Sequence, residues 1–271
     1  MKNKYYSVSR AALLALALTA AFAFTTTAFA LSPYASSVPG APSTPGSNGI
    51  LPGSLWYNGD LNHVNGLANE RDDGIGFGNY AHVFDDFNVP TGQTWTVNGV
   101  YSNNYMDYVE SGGTTTAVEW SIRQGITNGN GGTLIASGTA GPGNFTVQFH
   151  SFGDFGFIEY TVQAQNLAVT LTPGTYFLNV TPVGNGHGRS FESDTSGADC
   201  VGTPCGNNGN AFFDSNFFGA NYQPTSVQGQ PGDFSMGVQG VIAPEPPPWA
   251  MMALGAVVLI GVQRLVQRKK A

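Results

Sequence analysis

Outside the carboxylates, few side chains in this 271-residue chain could do chemistry. The four histidines, His63, His82, His150 and His187, are widely separated, and none belongs to an H-E-x-x-H pair. Each reads as a surface or loop residue, His150 on the solvent face of its strand. The run "NERDDG" fails as a calcium loop, because Arg71 takes the third ligand position and Tyr80 the twelfth. "DGIGFGN" spaces its glycines as G-x-G-x-G after a polar stretch, which makes a turn and not a dinucleotide site. "DFSMG" around Ser235 lacks the first glycine of a nucleophile elbow. Glycoside hydrolysis needs two carboxyls about 5 to 9.5 Å apart. Pairs such as Glu110 and Glu119 have the right chemistry, but sequence does not place them. The expectation is a chain that is not an enzyme.

Two weaker chemistries remain. Asp72-Asp73 and Asp85-Asp86 are adjacent carboxylates beside Asn and backbone carbonyls, the oxygen set of a structural calcium ion. The alternative is solvated acid at strand ends, with no cofactor at all. Aromatic faces flanked by Asn and Asp hold sugars by stacking and hydrogen bonding. "YSNNYMDYVE" places Tyr101, Tyr105 and Tyr108 around an Asn-rich loop, and "AFFDSNFFGANY" gathers Phe212, Phe213, Phe217, Phe218 and Tyr222. Alternating phenylalanines belong in a core, so the glycan-contact candidates are Tyr105 and Tyr108.

Charge narrows the partners. Residues 31 to 243 hold sixteen Asp and Glu against Arg71, Arg123 and Arg189, with no lysine, a net charge of −13. Such a surface repels phosphate backbones and excludes nucleic-acid binding. Cys200 and Cys205, in "DCVGTPCGNN", are the only cysteines. A disulfide there closes a six-residue loop and contributes roughly 2 kcal/mol by chain entropy. Zinc would need two further ligands at finger-like spacing, which the sequence lacks.

The elements that must position these groups read as strands. "AVEWSIR" sets Val118, Trp120 and Ile122 on one face against Glu119, Ser121 and Arg123 on the other. "FTVQFH" alternates likewise, "FIEYTVQA" turns Ile158, Tyr160 and Val162 inward, and "LAVTLTPGTYFLNV" reads as two runs joined in hairpin fashion through Pro173-Gly174. With Ala81–Val89, Thr94–Tyr101, Thr133–Gly138, Ala211–Phe218 and Phe234–Val241, nine or ten short strands predict an all-β, antiparallel β-sandwich of jelly-roll kind over residues 54–241. An immunoglobulin-like array is the alternative, although 188 residues is long for one copy.

The two ends speak of export. Lys2, Lys4 and Arg10, an apolar stretch from Ala11 to Phe24, and Ala28-Phe29-Ala30 make a secretory signal peptide of residues 1–30. Residues 31–53, with five prolines and no charge, read as a linker. Residues 249–266 are apolar enough to span a membrane as a helix, and Arg268, Lys269 and Lys270 in the tail 267–271 favour the cytoplasmic side. The body between would then lie outside the cytoplasm. In the spacer 242–248, Pro244, Pro246, Pro247 and Pro248 hold the chain extended just outside the bilayer.

Pro244-Glu245-Pro246, the apolar helix and the basic cluster, behind a secretory signal, resemble the PEP-CTERM sorting signal. The likeness covers residues 243–271; the three prolines after Glu245 and the spread of the basic residues depart from its usual form. It implies recognition of the tripeptide by an exosortase, a membrane-embedded processing enzyme. It also implies delivery to the cell surface or to an exopolysaccharide matrix. The combined expectation is an exported, non-enzymatic surface or matrix protein, with a carbohydrate-binding module or a glycan-acting hydrolase as alternatives.

Overall fold

The computed structural model describes residues 34–36, 49–107, 115–152, 157–184, 188–229 and 232–244. The expected signal peptide, most of the linker, Glu245, Pro246, the apolar span and the basic tail lie outside them.

Alternating sequence becomes strand, and the described residues hold fifteen pieces where nine or ten are expected: β1 (Tyr34–Ser36), β2 (Ser54–Tyr57), β3 (Leu61–Ala68), β4 (Glu70–Arg71), β5 (Tyr80–Val89), β6 (Gln93–Met106), β7 (Ala117–Gln124), β8 (Thr133–Ala140), β9 (Phe145–Phe152), β10 (Ile158–Leu171), β11 (Gly174–Val183), β12 (Ser190–Thr195), β13 (Phe212–Ser215), β14 (Ala220–Pro224) and β15 (Met236–Pro244). An eight-stranded sheet runs β1-β3-β12-β6-β10-β9, with β15 paired to β6 and β2 to β15. A seven-stranded sheet runs β14-β13-β5-β4-β11-β7-β8. Pairing is antiparallel except where β4 meets β11. The two layers share one apolar core, as in a β-sandwich. Phe87 of one layer lies between Trp56 and Trp95 of the other, at ring-centroid distances of 5.4 and 6.1 Å.

Three expectations need correction. The runs flanking Pro173-Gly174 are not a hairpin: β10 pairs with β6 and β9, while β11 pairs with β5 and β7 in the other sheet. The connection is a corner between layers, and the Tyr176 hydroxyl ties it by donating to the Thr172 carbonyl at 2.8 Å. His150 is not on a solvent face. It is half-buried, and its Nε2 is hydrogen-bonded to the Thr161 hydroxyl. In β10, Ile158 and Val162 are buried but Tyr160 is only half-buried, whereas Glu159 and Thr161 are covered. Glu159 can be covered because His63 Nδ1 meets it at 2.6 Å.

The interior is unusually polar, and the cause is topological. β5 and β11 pair only over Asp85–Val89 and Gly174–Leu178. Beyond that they splay, and β4 enters between them. Splaying removes ladder partners from backbone carbonyls, which a buried chain must replace. Asn179 Nδ2 donates to the Val83 carbonyl at 2.9 Å and Asn69 Nδ2 to the Val180 carbonyl at 2.7 Å. Ser102 reaches the same Val180 carbonyl from the opposite sheet at 2.9 Å. Asn69 Nδ2 also faces Asn104 Oδ1 at 3.1 Å and Glu192 Oε2 at 2.9 Å, and Thr181 donates to Asn69 Oδ1 at 2.6 Å.

Carboxylates gather around this seam, most of them held by neutral donors or by none. Asp85 accepts from Asn58 Nδ2 at 2.8 Å, from the Phe234 amide at 2.7 Å and from the Asp86 amide at 2.8 Å. It is therefore no solvated strand-end acid. Glu192, Asp194 and Asp233 are buried too, and each keeps one oxygen without a hydrogen-bond partner. Burial, then the charge of Asp233, pushes Asp194 up to about 7, and burial pushes Glu70 to about 7 even with Arg189 Nε at 2.8 Å. Burial also raises Asp85 and Glu192 well above the usual range, with neighbouring acids adding to it.

Two predictions follow from the seam. The folded state binds protons that an unfolded carboxyl releases near pH ~4. That stabilisation is complete below about pH 4 and is lost as pH rises towards 7. Glu119 and His150, both held low, act in the opposite sense but are only half-buried. Thermal midpoints in chelator-containing buffer should therefore fall from pH 5 to pH 8; a flat or rising profile contradicts this account. Replacing Asn69 with Ala strips the Val180 carbonyl and Glu192 of a donor and should lower stability in urea by about 2–4 kcal/mol. A loss below about 1 kcal/mol would show that the gap closes without it.

Candidate functional site

Period-2 alternation that sends Ala81, Val83, Asp85 and Phe87 inward sends His82 and Phe84 of β5 outward, together with Glu119, Ser121 and Arg123 of β7. These outward residues, with Asn179 and Tyr222, line a groove of about 240 Å³ on the seven-stranded sheet. A small apolar cluster beneath it contains Phe84, Ile126 and Phe177, with Phe212 and Tyr222 packed against them.

The groove holds two charged arrangements. Glu119 faces Arg71 Nη1 with both oxygens, at 2.9 and 3.0 Å, and His82 Nε2 lies 3.5 Å from its Oε2. Burial works to raise the Glu119 carboxyl, but the hydrogen bond and charge of His82, with Arg71, hold it below the usual range. Tyr80 stacks on His82 at 4.6 Å and fixes that ring from behind. Arg123 lies over the rings of Tyr222 and Phe84, at 5.4 and 6.0 Å, and donates from Nη1 to the Gly131 carbonyl at 2.9 Å. Tyr222 is half-buried, at a positive φ of 44° that turns it onto this face. The hairpin tip between β7 and β8 lies against it, with the Gly129 amide 3.3 Å from the Tyr222 carbonyl.

A second depression of about 290 Å³ lies on the eight-stranded sheet, lined by the amides of Asn98, Gln163, Gln165, Asn166 and Gln239. Its side chains are largely spent on one another: Gln163 Nε2 donates to Gln239 Oε1 at 2.5 Å, and Gln239 Nε2 to the Pro52 carbonyl at 2.8 Å.

The structure treats the residues singled out from sequence unevenly. Tyr105 is turned into the interior with 0% of its surface exposed, and Ser193 donates to its hydroxyl at 3.1 Å. Its ring offers no face to a glycan, because β6 from Tyr101 to Met106 is covered throughout. Tyr108, Glu110 and His187 lie outside the described residues. Phe213 is core as expected, whereas Phe217 is 39% exposed and Phe212 belongs to the outer cluster.

Cys200 and Cys205 form a disulfide, Cα atoms 5.6 Å apart. It braces a loop whose Val201 pairs with Tyr57 and whose Pro204 carbonyl accepts from Trp56 Nε1 at 3.0 Å. Asp72 and Asp73 serve turns, accepting from the amides of Gly78 at 2.5 Å and Gly188 at 2.6 Å. Among the described residues, no three His, Cys, Asp or Glu side chains group so as to hold a metal ion. Pro244 is the last residue of β15, opposite Gln93.

Compared with known protein families, curated proteins and solved structures, the chain matches none.

Gly131 sits where a Cβ would run into the Tyr222 ring, whereas a Cβ on Gly141 would meet open space. Gly131→Ala should push Tyr222 out of place and lower stability by about 1–3 kcal/mol, with Gly141→Ala near neutral. Chemical denaturation of both variants checks this, and equal effects would count against the packing described.

Proposed function

We propose that this chain is an exported, non-enzymatic surface or matrix protein that is sorted through its PEP-CTERM-like tail and grips saccharide in the groove of the seven-stranded sheet. The observation that carries the saccharide part is the groove itself. It sets a half-exposed Tyr222 ring beside fixed polar side chains on a rigid sheet. A sugar needs that combination, a flat apolar face for its C–H surface and directional partners for its hydroxyls. Glu119 is the only carboxylate among the described lining residues, and Arg71 occupies both its oxygens. Cleavage of a glycosidic bond calls for two carboxyls, one able to donate a proton. An acid held low and ion-paired suits binding better than hydrolysis.

The sorting part rests on the sequence. The signal peptide, the apolar span and the basic tail would hold the precursor in the inner membrane, with the sandwich facing the periplasm. An exosortase would act near Pro244-Glu245-Pro246, and the body would then pass to the surface or the exopolysaccharide. A jelly-roll descent for the sandwich belongs to the same proposal.

Expression in an exopolysaccharide-producing bacterium that has an exosortase tests both parts at once. Mature protein should be recovered with the polysaccharide, and its mass should show loss of the apolar C-terminal segment. The Tyr222→Ala variant should be trimmed alike but escape into the medium. Intact tails on all recovered protein would end the sorting proposal. Retention of Tyr222→Ala equal to wild type would end the groove proposal.

A further inference from the structure

We infer that the groove selects acidic saccharides, those carrying a uronate carboxylate, and that Arg123 recognises that charge. The inference rests on the saccharide reading above and adds the charge class of the ligand.

Residues 31 to 243 contain three arginines and no lysine. Two of the three are neutralised within the fold. Arg71 meets Glu119 at 2.9 Å and Asp72 at 3.5 Å, and Arg189 meets Glu70 at 2.8 Å. Arg123 has no carboxylate within ion-pair distance among the described residues. Its Nη1 is spent on a neutral carbonyl, and its Nε has no acceptor. Asp214, on the same face, feels the Arg123 charge from beyond ion-pair distance. Among the described residues, the one arginine without an ion pair therefore lines the groove.

Its setting suits a ligand as well as a charge. The Phe84 and Tyr222 rings hold the guanidinium in place, and a preorganised planar fork matches a carboxylate better than a mobile ammonium does. Tyr222 lines the groove beside it, and the hydroxyls of Ser121, Ser137 and Thr139 line the same groove. A pyranose stacked on Tyr222 with its carboxylate towards Arg123 would use both features. The net charge of the body opposes an anionic ligand at long range. That repulsion is screened beyond about 8 Å at physiological ionic strength, whereas a contact pair in a partly desolvated groove is screened much less.

The test is equilibrium binding of the full chain, in neutral detergent with a chelator, to a panel of galacturonate, glucuronate, mannuronate and guluronate oligosaccharides. Each is paired with its carboxyl-reduced counterpart, in which every carboxylate has become a primary alcohol. At least one uronate should bind about tenfold or more tightly than its reduced form. Arg123→Gln should erase that difference while retaining binding of the reduced oligosaccharide, which also shows that the groove is still folded. Arg123→Lys should keep part of the preference. Equal wild-type affinity for every uronate and its reduced partner would overturn the charge inference and leave the saccharide reading standing, as would a preference that survives Arg123→Gln. Binding to neither kind in any pair would remove both.

Discussion

The entry of β4 between β5 and β11 is the constraint on which the rest of this sandwich turns. Two strands that pair for five residues and then part must leave backbone carbonyls without ladder partners. Each such group, if buried bare, costs about 1–3 kcal/mol. The chain answers with amide side chains, Asn69 and Asn179, and with Ser102 reaching across from the other layer. Once Asn69 and Ser102 line the interlayer, nearby positions must also be polar. Glu192 and Asp85 are held there by the hydrogen bonds of Asn69 and Asn58. A polar seam is thus the consequence of one insertion in one sheet.

The seam also divides labour between the two faces of the seven-stranded sheet. Its inner face is committed to satisfying the interior, so adjustable chemistry is left to the outer face. There Tyr80 fixes His82, Glu119 is anchored by Arg71, and Arg123 lies on the Phe84 and Tyr222 rings. Groups fixed by a sheet lose little entropy on meeting a ligand.

The parts of this architecture written as alternation could be read in the sequence. β7 follows its pattern, with Val118, Trp120 and Ile122 buried and Glu119, Ser121 and Arg123 less so. β12 could not be read. Ser190–Thr195 is all buried although five of its six residues are polar, because it runs inside the eight-stranded sheet beside the seam. Pro173-Gly174 misled for a related reason: tight-turn residues mark a change of direction but not whether the chain returns to the same sheet. The groove escaped notice because its residues occupy the outward half of each alternation, the half that a search for the core sets aside as solvated. Tyr105, favoured for its Asn-rich surroundings, proved to be covered because those asparagines, Asn103 and Asn104, are themselves buried hydrogen-bonding partners.

The last strand adds a mechanical point. β15 stays zipped to β6 through the pair Pro244 and Gln93, so ordered structure reaches the first residue of the Pro-Glu-Pro tripeptide. A cut made downstream of it severs no rung among the described residues. The folded body would therefore come away whole, with the same final strand before and after release.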